Sequence, residues 1–373
     1  MKKVFISIPW FFPAFKAGGP IQSILNLVTS YQKNIQFYIF TSIQDVDGTE
    51  IKVSEKNKWI PFNEHTYVWY NDSRFAFSNL KNEVKLLNPD FVFINGIYSL
   101  YYSILPLLFL SIPKKILSVR GMLHPGALSQ KPIKKKLFLS FLKLCNIKKR
   151  ISFHATDKIE EQIIYSIFGN NASVFAAANY PKKIIDAIPK EKQSNTLHLI
   201  TVALISPMKN HLLVLESLQN LPHKINYTII GAIKDVAYWD ECLDVISKLP
   251  PNIKVNYVGE KSPELISNYL SQADVFIMPS KSENYGHAII EALQSGLPVI
   301  TSNKTPWNRL FENTAGYNTD LSLQSISESI VFFCKMDAAT YSKWNNAAKS
   351  YAKESINLEE INTQYALMFD IKN

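Results

Sequence analysis

Apolar and polar positions follow each other along the chain in a pattern that predicts a regular succession of strands and helices. Short apolar runs, typical of buried parallel strands, are followed by polar or glycine-containing loops and then by apolar positions at helical spacing. This alternation indicates an α/β fold. The predicted strands are residues 3–8, 36–41, 91–94, 115–119, 151–155, 174–178, 198–204, 226–230 and 255–258, then a run ending at Pro279 and Ser280 and another beginning at Val299.

Helices are predicted between these strands, and the chain between residues 44 and 75 is polar and shows no clear period. Asp157 is expected to cap one helix, because an aspartate at this position accepts a hydrogen bond from the first turn. Polar composition at residues 182–196 indicates a linker between two domains. The predicted helices are a segment ending near residue 31, another starting near residue 98, a short one beginning at residues 305–307, and residues 158–168, 207–221, 236–248, 262–271, 286–295, 321–336, 338–353 and 358–369.

Residues 274–302 form a predicted strand–loop–helix–strand unit, with Gly286 opening the helix and Gly296 and Pro298 ending it. The loop lies beyond the carboxyl end of a strand, where α/β sheets bind ligands. The free N–H groups and dipole of the helix favour an anion such as phosphate there. Glu283 in the loop and Glu291 in the helix can accept hydrogen bonds from sugar hydroxyls. The combination suits a diphosphate with hydroxyls on either side, which is a nucleotide sugar.

Three other loops at predicted strand ends carry candidate residues. Lys209 lies where an ammonium group and a helix N-terminus would act on one anion, although a single lysine is more often a surface residue. Arg120 and His124 follow another strand; arginine grips phosphate or carboxylate bidentately, whereas a lone histidine is more often structural. Gly18 and Gly19 allow backbone to approach a ligand, or simply form a turn.

The central segment resembles glycosyltransferase family 4 in its E-x7-E signature, which spans Glu283 to Glu291. The match includes the Pro-Ser end of the preceding strand and Gly-Leu-Pro-Val after the helix. Further matching motifs are distributed over most of the chain, namely Gly18-Gly19-Pro20, Arg120-Gly121-Met122-Leu123 and Ser206-Pro207-Met208-Lys209-Asn210. One departure is Leu204, which stands where family members usually carry an arginine.

The resemblance implies a GT-B fold, with two Rossmann-like domains facing across a cleft. Residues 1–190, joined by a helix at 356–373 that crosses back, would bind the acceptor, and residues 191–355 the nucleotide sugar. It implies transfer with retention of configuration, no cofactor and no metal ion. The site residues it implies are Lys209 and Glu283 as catalytic, Gly18, Gly19, Asn284, Tyr285, Gly286 and Glu291 as donor-binding, and Arg120 and His124 as facing the acceptor cleft.

Composition agrees with about two domains, since 373 residues with 47% hydrophobic content supply material for two cores. Three cysteines without disulfide or metal spacing suit a reducing compartment. Prolines at positions 9 and 13 interrupt the apolar N-terminus, which argues against a signal peptide. The apolar run 100–112 is too short to cross a bilayer. We therefore expect a cytoplasmic protein.

Positive charge is concentrated in the first half of the chain. Residues 1–190 hold 25 Lys and Arg against 12 Asp and Glu, and residues 191–373 hold 15 against 19, which together give the net +9. Residues 131–150 contain eight basic side chains, no acid, and apolar positions that predict a basic amphipathic helix. This helix is either a solvated face over a core stripe or an attachment to anionic lipid headgroups. Nucleic-acid binding is not indicated.

Two other classes of function stay open. One is a nucleotide-sugar 2-epimerase with the same two-domain shape, and the other is a non-catalytic sugar-nucleotide sensor. A scaffold that relies only on the basic helix is a further alternative. A glycosidase pair formed by the two glutamates is weaker, because an anion site would lie between them. The expected partners are a nucleotide sugar and a glycan or lipid-linked acceptor in surface polysaccharide assembly.

Overall fold

The structure of the protein is a computed structural model that describes residues 1–31, 34–112, 114–129, 132–182, 192–193 and 195–371. The chain divides into two compact units. The N-terminal unit contains Met1–Tyr180 and Leu358–Asn373, and the C-terminal unit contains Pro181–Asn357. The domain boundary predicted at residues 190 and 191 falls in 183–191, outside the described residues.

The N-terminal unit is built on a sheet in the order β3-β4-β2-β1-β5-β6-β7-β8, in which only β3 runs antiparallel to its neighbour. Helices cover the sheet. The elements in chain order are β1 (Lys2–Ser7), α1 (Gly19–Ser30), β2 (Ile35–Ser42), β3 (Trp59–Asn63), β4 (Thr66–Asn71), α2 (Ala76–Leu87), β5 (Phe91–Asn95), a π-helical turn (Leu100–Ile104), α3 (Leu105–Phe109), β6 (Lys115–Ser118), α4 (Pro125–Leu128), α5 (Pro132–Leu144), a 3₁₀ turn (Ile147–Lys149), β7 (Ser152–Ala155), α6 (Lys158–Phe168) and β8 (Ser173–Ala176).

The C-terminal unit is built on an all-parallel sheet in the order β11-β10-β9-β12-β13-β14. Its elements are β9 (Thr196–Val202), α7 (His211–Leu218), β10 (Lys224–Ile230), α8 (Val236–Ser247), β11 (Ile253–Tyr257), α9 (Pro263–Gln272), β12 (Val275–Met278), α10 (His287–Gln294), β13 (Val299–Ser302), β14 (Gly316–Thr319), α11 (Leu323–Cys334) and α12 (Ala338–Glu354). The last helix, α13 (Leu358–Met368), belongs to the N-terminal unit, as predicted for a segment that crosses back.

Two apolar cores enclose the C-terminal sheet because successive side chains of a strand point to opposite faces. In β12, Val275 and Ile277 enter the core beneath α7, α8 and α11. Phe276 and Met278 enter the core beneath α9 and α10. A strand that is apolar on both faces is central in its sheet, which agrees with the continuous apolar run in the sequence.

The predicted alternation of strands and helices is confirmed, with shifts of a few residues at element ends. Asp157 caps α6 by accepting a hydrogen bond from the Glu160 N–H. The sequence missed β3, β4, α2 and β14. The predicted helix at residues 305–307 is wrong, because Trp307 is held in an irregular segment by its indole N–H, which donates to the Tyr285 carbonyl at 2.6 Å, and by its own carbonyl, which accepts from Asn318.

Candidate functional site

The loops that follow β9 and β12 flank the point where the C-terminal sheet reverses its winding. β9 and β12 are neighbours, and from them the chain continues outward in opposite directions, to β10 on one side and β13 on the other. The loops at the carboxyl ends of two such strands lead to opposite sides of the sheet, and a crevice forms between them. This crevice is the general binding position of open α/β sheets.

Three contacts join the two loops at this position. The Lys281 N–H donates to the Met208 carbonyl at 2.9 Å, and the Asn210 side-chain amide donates to the Pro279 carbonyl at 3.3 Å. The Lys209 ammonium donates to Glu283 Oε1 at 2.5 Å. Residues predicted independently from two motifs are therefore brought into direct contact, although 74 positions separate them in the chain.

The Lys209–Glu283 pair is sheltered but accessible. The two side chains keep 23% and 10% of their surface exposed. An ion pair at such a position is screened less by solvent than one at the open surface. A bound phosphate could accept from the Lys209 ammonium while Glu283 accepts from a sugar hydroxyl.

Lys209 differs in one respect from its predicted setting. It lies in a turn closed by its own N–H donating to Ser206 O, and α7 begins only at His211. Asn210 adopts a left-handed conformation with φ 65°, which separates the turn from the helix. The predicted helix start at residue 207 is therefore wrong, and Lys209 precedes the helix.

The N-terminal end of α10 is formed by residues predicted to bind the donor. Gly286 is the N-cap and has φ 76°, a conformation that residues with a Cβ rarely adopt. A Cβ on Gly286 would lie 3.1 Å from Ile289 Cδ1 and 3.2 Å from Trp307 Nε1. The Tyr285 ring packs edge-on against Trp307, and Asn284 and Glu283 precede it in the loop. The local sequence thus fixes where the helix starts.

The body of α10 is anchored in the core, which holds its N-terminus in place. Ile289, Ile290, Ala292 and Leu293 are buried. The helix ends at Gln294, Gly296 follows with φ 84°, and the Leu297 N–H donates back to the Ala292 carbonyl at 2.9 Å. This is a glycine-terminated helix of the kind predicted from the sequence.

Glu291 is half-buried on α10, and burial raises the pKa of its carboxyl group above the ordinary value. The positive charge of Lys182 opposes that shift. The Lys182 ammonium donates to the Pro263 carbonyl at 3.3 Å, next to the start of α9. Burial destabilises the charged form of a carboxyl group, and hydrogen-bond donors such as ribose hydroxyls would stabilise it.

Sequence reasoning missed three residues near this site, namely Lys182, His211 and Trp307. His211 is buried and directly follows the Lys209–Asn210 turn, and burial together with the Lys209 charge lowers its pKa to about 4. Trp307 packs against Tyr285 beside the N-terminal end of α10. Lys182 lies in the segment that composition had marked as a linker, and its approach to Glu291 was not visible in the sequence.

Leu204 is half-buried after β9 and supplies no charge where the family pattern expects arginine. Lys281, in the same loop as Glu283, is exposed, and so is Lys304. The Glu283 N–H donates to the Lys304 carbonyl at 3.2 Å.

A cavity of about 400 Å³ lies beside the Lys209 turn. Its lining includes Glu216, Asp235 and Glu241, so it does not suit a diphosphate.

The candidates in the N-terminal unit have different surroundings. Gly18 is the N-cap of α1 with φ 67°, open space surrounds its missing Cβ, and Gly19 is the first helical residue. His124 precedes α4, and its Nε2 atom is buried and lacks a hydrogen-bond partner among the described residues. The binding roles of these three residues stay predictions.

The Arg120 side chain makes its hydrogen bonds within the N-terminal unit, and its predicted role towards the acceptor stays a prediction. Its Nε donates to Asn95 Oδ1 at 2.8 Å, its Nη1 donates to Asn179 Oδ1, and the guanidinium lies 6.0 Å from the Phe93 ring centroid. Arg120 has φ 49°, and the next residue, Gly121, donates its N–H to the buried carboxylate of Glu160. In this arrangement Arg120 fixes the carboxyl ends of β5 and β8.

Within the described residues, no three His, Cys, Asp or Glu side chains converge in a geometry that could hold a metal ion. Among the described helices, none is both long enough and apolar enough to span a bilayer.

Comparison with known proteins links the C-terminal unit to a family. Residues 183–351 match the family model described as glycosyl transferases group 1. The chain is 33% identical over 101 residues to the O-antigen biosynthesis glycosyltransferase WclY of Escherichia coli, and this match covers 27% of each protein. It is 32% identical over 88 residues to the sulfoquinovosyl transferase SQD2 of Arabidopsis thaliana, 24% of this chain and 16% of that protein. The chain thus matches about a quarter or less of these relatives' lengths.

Solved structures match the whole chain in fold. Anabaena HepE in complex with UDP and glucose has a TM-score of 0.70 at 15% identity and covers 99% of both chains. Sucrose-phosphate synthase from Thermosynechococcus elongatus has a TM-score of 0.71 at 14% identity, with 99% of this chain and 98% of that chain covered. WaaG, a glycosyltransferase involved in lipopolysaccharide biosynthesis, has a TM-score of 0.67 at 13% identity, with 98% and 99% covered. The predicted GT-B fold is confirmed.

Proposed function

We propose that the protein is a retaining glycosyltransferase of family 4 that moves a sugar, of hexose type, from a nucleoside diphosphate to an acceptor hydroxyl. The observation that carries the proposal is the contact between Lys209 and Glu283 at the switch point of the C-terminal sheet, next to the N-terminus of α10. This arrangement offers a cation, helix amides and hydroxyl-binding carboxylates within one crevice. The group 1 family match over residues 183–351 supports it.

In the proposed reaction, Lys209 and the α10 N-terminus stabilise the negative charge that develops on the leaving diphosphate. Glu283 holds hydroxyls of the donor sugar, and Glu291 holds those of the ribose. The acceptor oxygen attacks the anomeric carbon on the face from which the diphosphate leaves, and a phosphate oxygen takes the acceptor proton. Catalysis is then positional and electrostatic, without a covalent enzyme intermediate.

The donor is the first property to test. We expect UDP, GDP or ADP, or one of their sugars, to raise the melting temperature of the protein, because a ligand that binds only the folded state stabilises it. Hydrogen exchange should show the protection at residues 206–210 and 281–291. Protection confined to the N-terminal unit, or no shift with any nucleotide sugar, would contradict the proposed site.

The same donor separates the remaining alternatives. An epimerase would convert the nucleotide sugar with no acceptor present, and a sensor would bind it without chemical change. A transferase releases nucleoside diphosphate and labels an acceptor glycan. Product analysis by mass spectrometry with and without acceptor distinguishes the three.

We propose that no metal ion or other cofactor takes part, because Lys209 and the helix N-terminus already act on the diphosphate. Treatment with EDTA should leave turnover unchanged in a transfer assay. Loss of activity that added Mn²⁺ restores would contradict this part of the proposal. Heat-inactivated enzyme provides the background.

For the acceptor, we propose a glycan or a lipid-linked glycan used in surface polysaccharide assembly. The support is the role of two similar proteins, in O-antigen and in lipopolysaccharide biosynthesis. We assign acceptor binding to the N-terminal unit and a cytoplasmic location to the protein. The three cysteines are free, as in a reducing compartment.

A further inference from the structure

Helix α5 of the N-terminal unit carries two apolar stripes, and only one of them faces the core. Leu139 and Leu142 are buried. On the same inner side, Phe138 packs against Tyr98 with ring centroids 5.7 Å apart, and the Lys135 ammonium donates to the Ala127 carbonyl at 2.6 Å. These contacts fix the rotation of the helix.

The second stripe projects into solvent. Ile133, Leu137, Phe141 and Leu144 are 75%, 67%, 45% and 85% exposed. Positions four and three residues apart lie on one helix face at about 100° per residue, so these four side chains form a continuous ridge. We call it the α5 ridge. Folded proteins rarely leave several large apolar side chains adjacent and exposed unless they bind something.

Lysines border the α5 ridge on both sides. Lys136 and Lys143 are exposed, seven residues apart along one border, and Lys134 is exposed on the other. Beyond the helix, Lys149 and Arg150 add further exposed charge, and residues 131–150 contain no acidic side chain. An apolar ridge with cations on both borders is the pattern of a helix that lies in a membrane interface.

We propose that the α5 ridge attaches the N-terminal unit to an anionic lipid surface. Ile133, Leu137, Phe141 and Leu144 enter the acyl boundary, and the bordering lysines contact the headgroup phosphates. The inference goes beyond the proposed transfer reaction, since it rests on contacts of the N-terminal unit alone. Attachment of this kind would bring the enzyme to lipid-linked acceptors.

Charge complementarity selects lipid over other occupants. A second copy of this chain would bring two lysine-bordered ridges together, and like charges would oppose that contact. A nucleic acid would use the lysines but would leave the apolar ridge without a partner. An anionic bilayer satisfies both features at once.

Sedimentation of the full chain with lipid vesicles tests the proposal. We expect binding to vesicles of phosphatidylcholine mixed with phosphatidylglycerol, weaker binding to phosphatidylcholine alone, and release by added salt. The double variant Leu137→Ser/Phe141→Ser should bind at least about tenfold more weakly. The triple variant Lys134→Gln/Lys136→Gln/Lys143→Gln should lose about a hundredfold on anionic vesicles.

The matched control is Leu86→Ser, which removes a leucine that is 78% exposed on α2 and should leave vesicle binding unchanged. Circular dichroism verifies that each variant is folded. Equal sedimentation of the Leu137→Ser/Phe141→Ser variant and the parent would overturn the proposal, as would a dimer that this variant dissociates. Donor-induced thermal shifts measured on the same samples report on the C-terminal site independently, so failure of attachment and failure of the transferase proposal are distinguishable.

Discussion

At the scale of single residues, the contact between Lys209 and Glu283 is the centre of the proposed chemistry. The Lys209 ammonium and Glu283 Oε1 lie 2.5 Å apart. The hydrogen bond to Glu283 orients the Lys209 ammonium. Lys209 is not part of α7, because the turn that ends at Asn210 precedes the helix. A phosphate entering the crevice would therefore meet a cation that is already positioned, which lowers the cost of reorganisation.

Replacement of Lys209 by alanine should reduce turnover by about 10²–10³-fold, the typical effect of losing one preorganised donor to a developing anion. Transfer of labelled sugar to acceptor measures it. Lys254→Ala serves as the control, because Lys254 is exposed on β11 and outside the two loops. Unchanged turnover in Lys209→Ala would remove this residue from the mechanism.

Arg120 shows how the surroundings of a candidate residue depend on distant parts of the chain. Its guanidinium is held by Asn95 and Asn179 inside the N-terminal unit, while its backbone has a positive φ. The sequence correctly placed it after β6. The direction of the side chain depended on amide groups at the ends of β5 and β8, which come from distant parts of the chain.

At the scale of elements, the packing of α10 in the core sets the position of its N-terminal end at the candidate site. Its inner face is buried against β12 and β13, and its first turn starts at a glycine in a left-handed conformation. Trp307 packs over that start and hydrogen-bonds to Tyr285. The position of the helix amides is therefore set by packing as well as by sequence.

Gly286→Ala should disturb this end of the helix. The left-handed backbone alone costs about 1–2 kcal/mol for a residue with a Cβ, and the new methyl group would also press on Ile289 and Trp307. We expect weaker donor binding, measured by calorimetry, together with lower stability. Gly48→Ala is the control, because Gly48 has φ 84° with open space around it. Full donor affinity in Gly286→Ala would show that the amide positions are not critical.

At the scale of the whole molecule, the end of the chain completes the core of its beginning. α13 packs in the N-terminal unit, and just beyond it Phe369 lies against the rings of Phe37, Phe91 and Phe93, at 5.8 to 6.3 Å between centroids. Phe369 is fully buried. The unit is therefore assembled from segments that lie at opposite ends of the sequence.

Phe369→Ala should destabilise the N-terminal unit by about 3–5 kcal/mol, as removal of a buried aromatic ring usually does. Hydrogen exchange in β1 and β5 reports this unit separately from the other, which matters because two units need not unfold together. Leu367→Ala, at a residue that is 72% exposed on α13, is the control. Equal exchange in both variants would contradict the assigned role of α13.

The sequence by itself determined the α/β alternation, the loops that carry Lys209 and Glu283, and the helix that carries Glu291. Those features depend on local periodicity, on glycine and proline positions and on the rule that parallel sheets bind ligands at strand ends. The tertiary structure alone decided that Lys209 meets Glu283 and that Arg120 bonds to Asn95 and Asn179. It also decided which apolar stripe of α5 is buried, because a helix with two stripes has the same period whichever one faces the core. In the structure, Leu139 and Leu142 face the core and Phe138 packs against Tyr98.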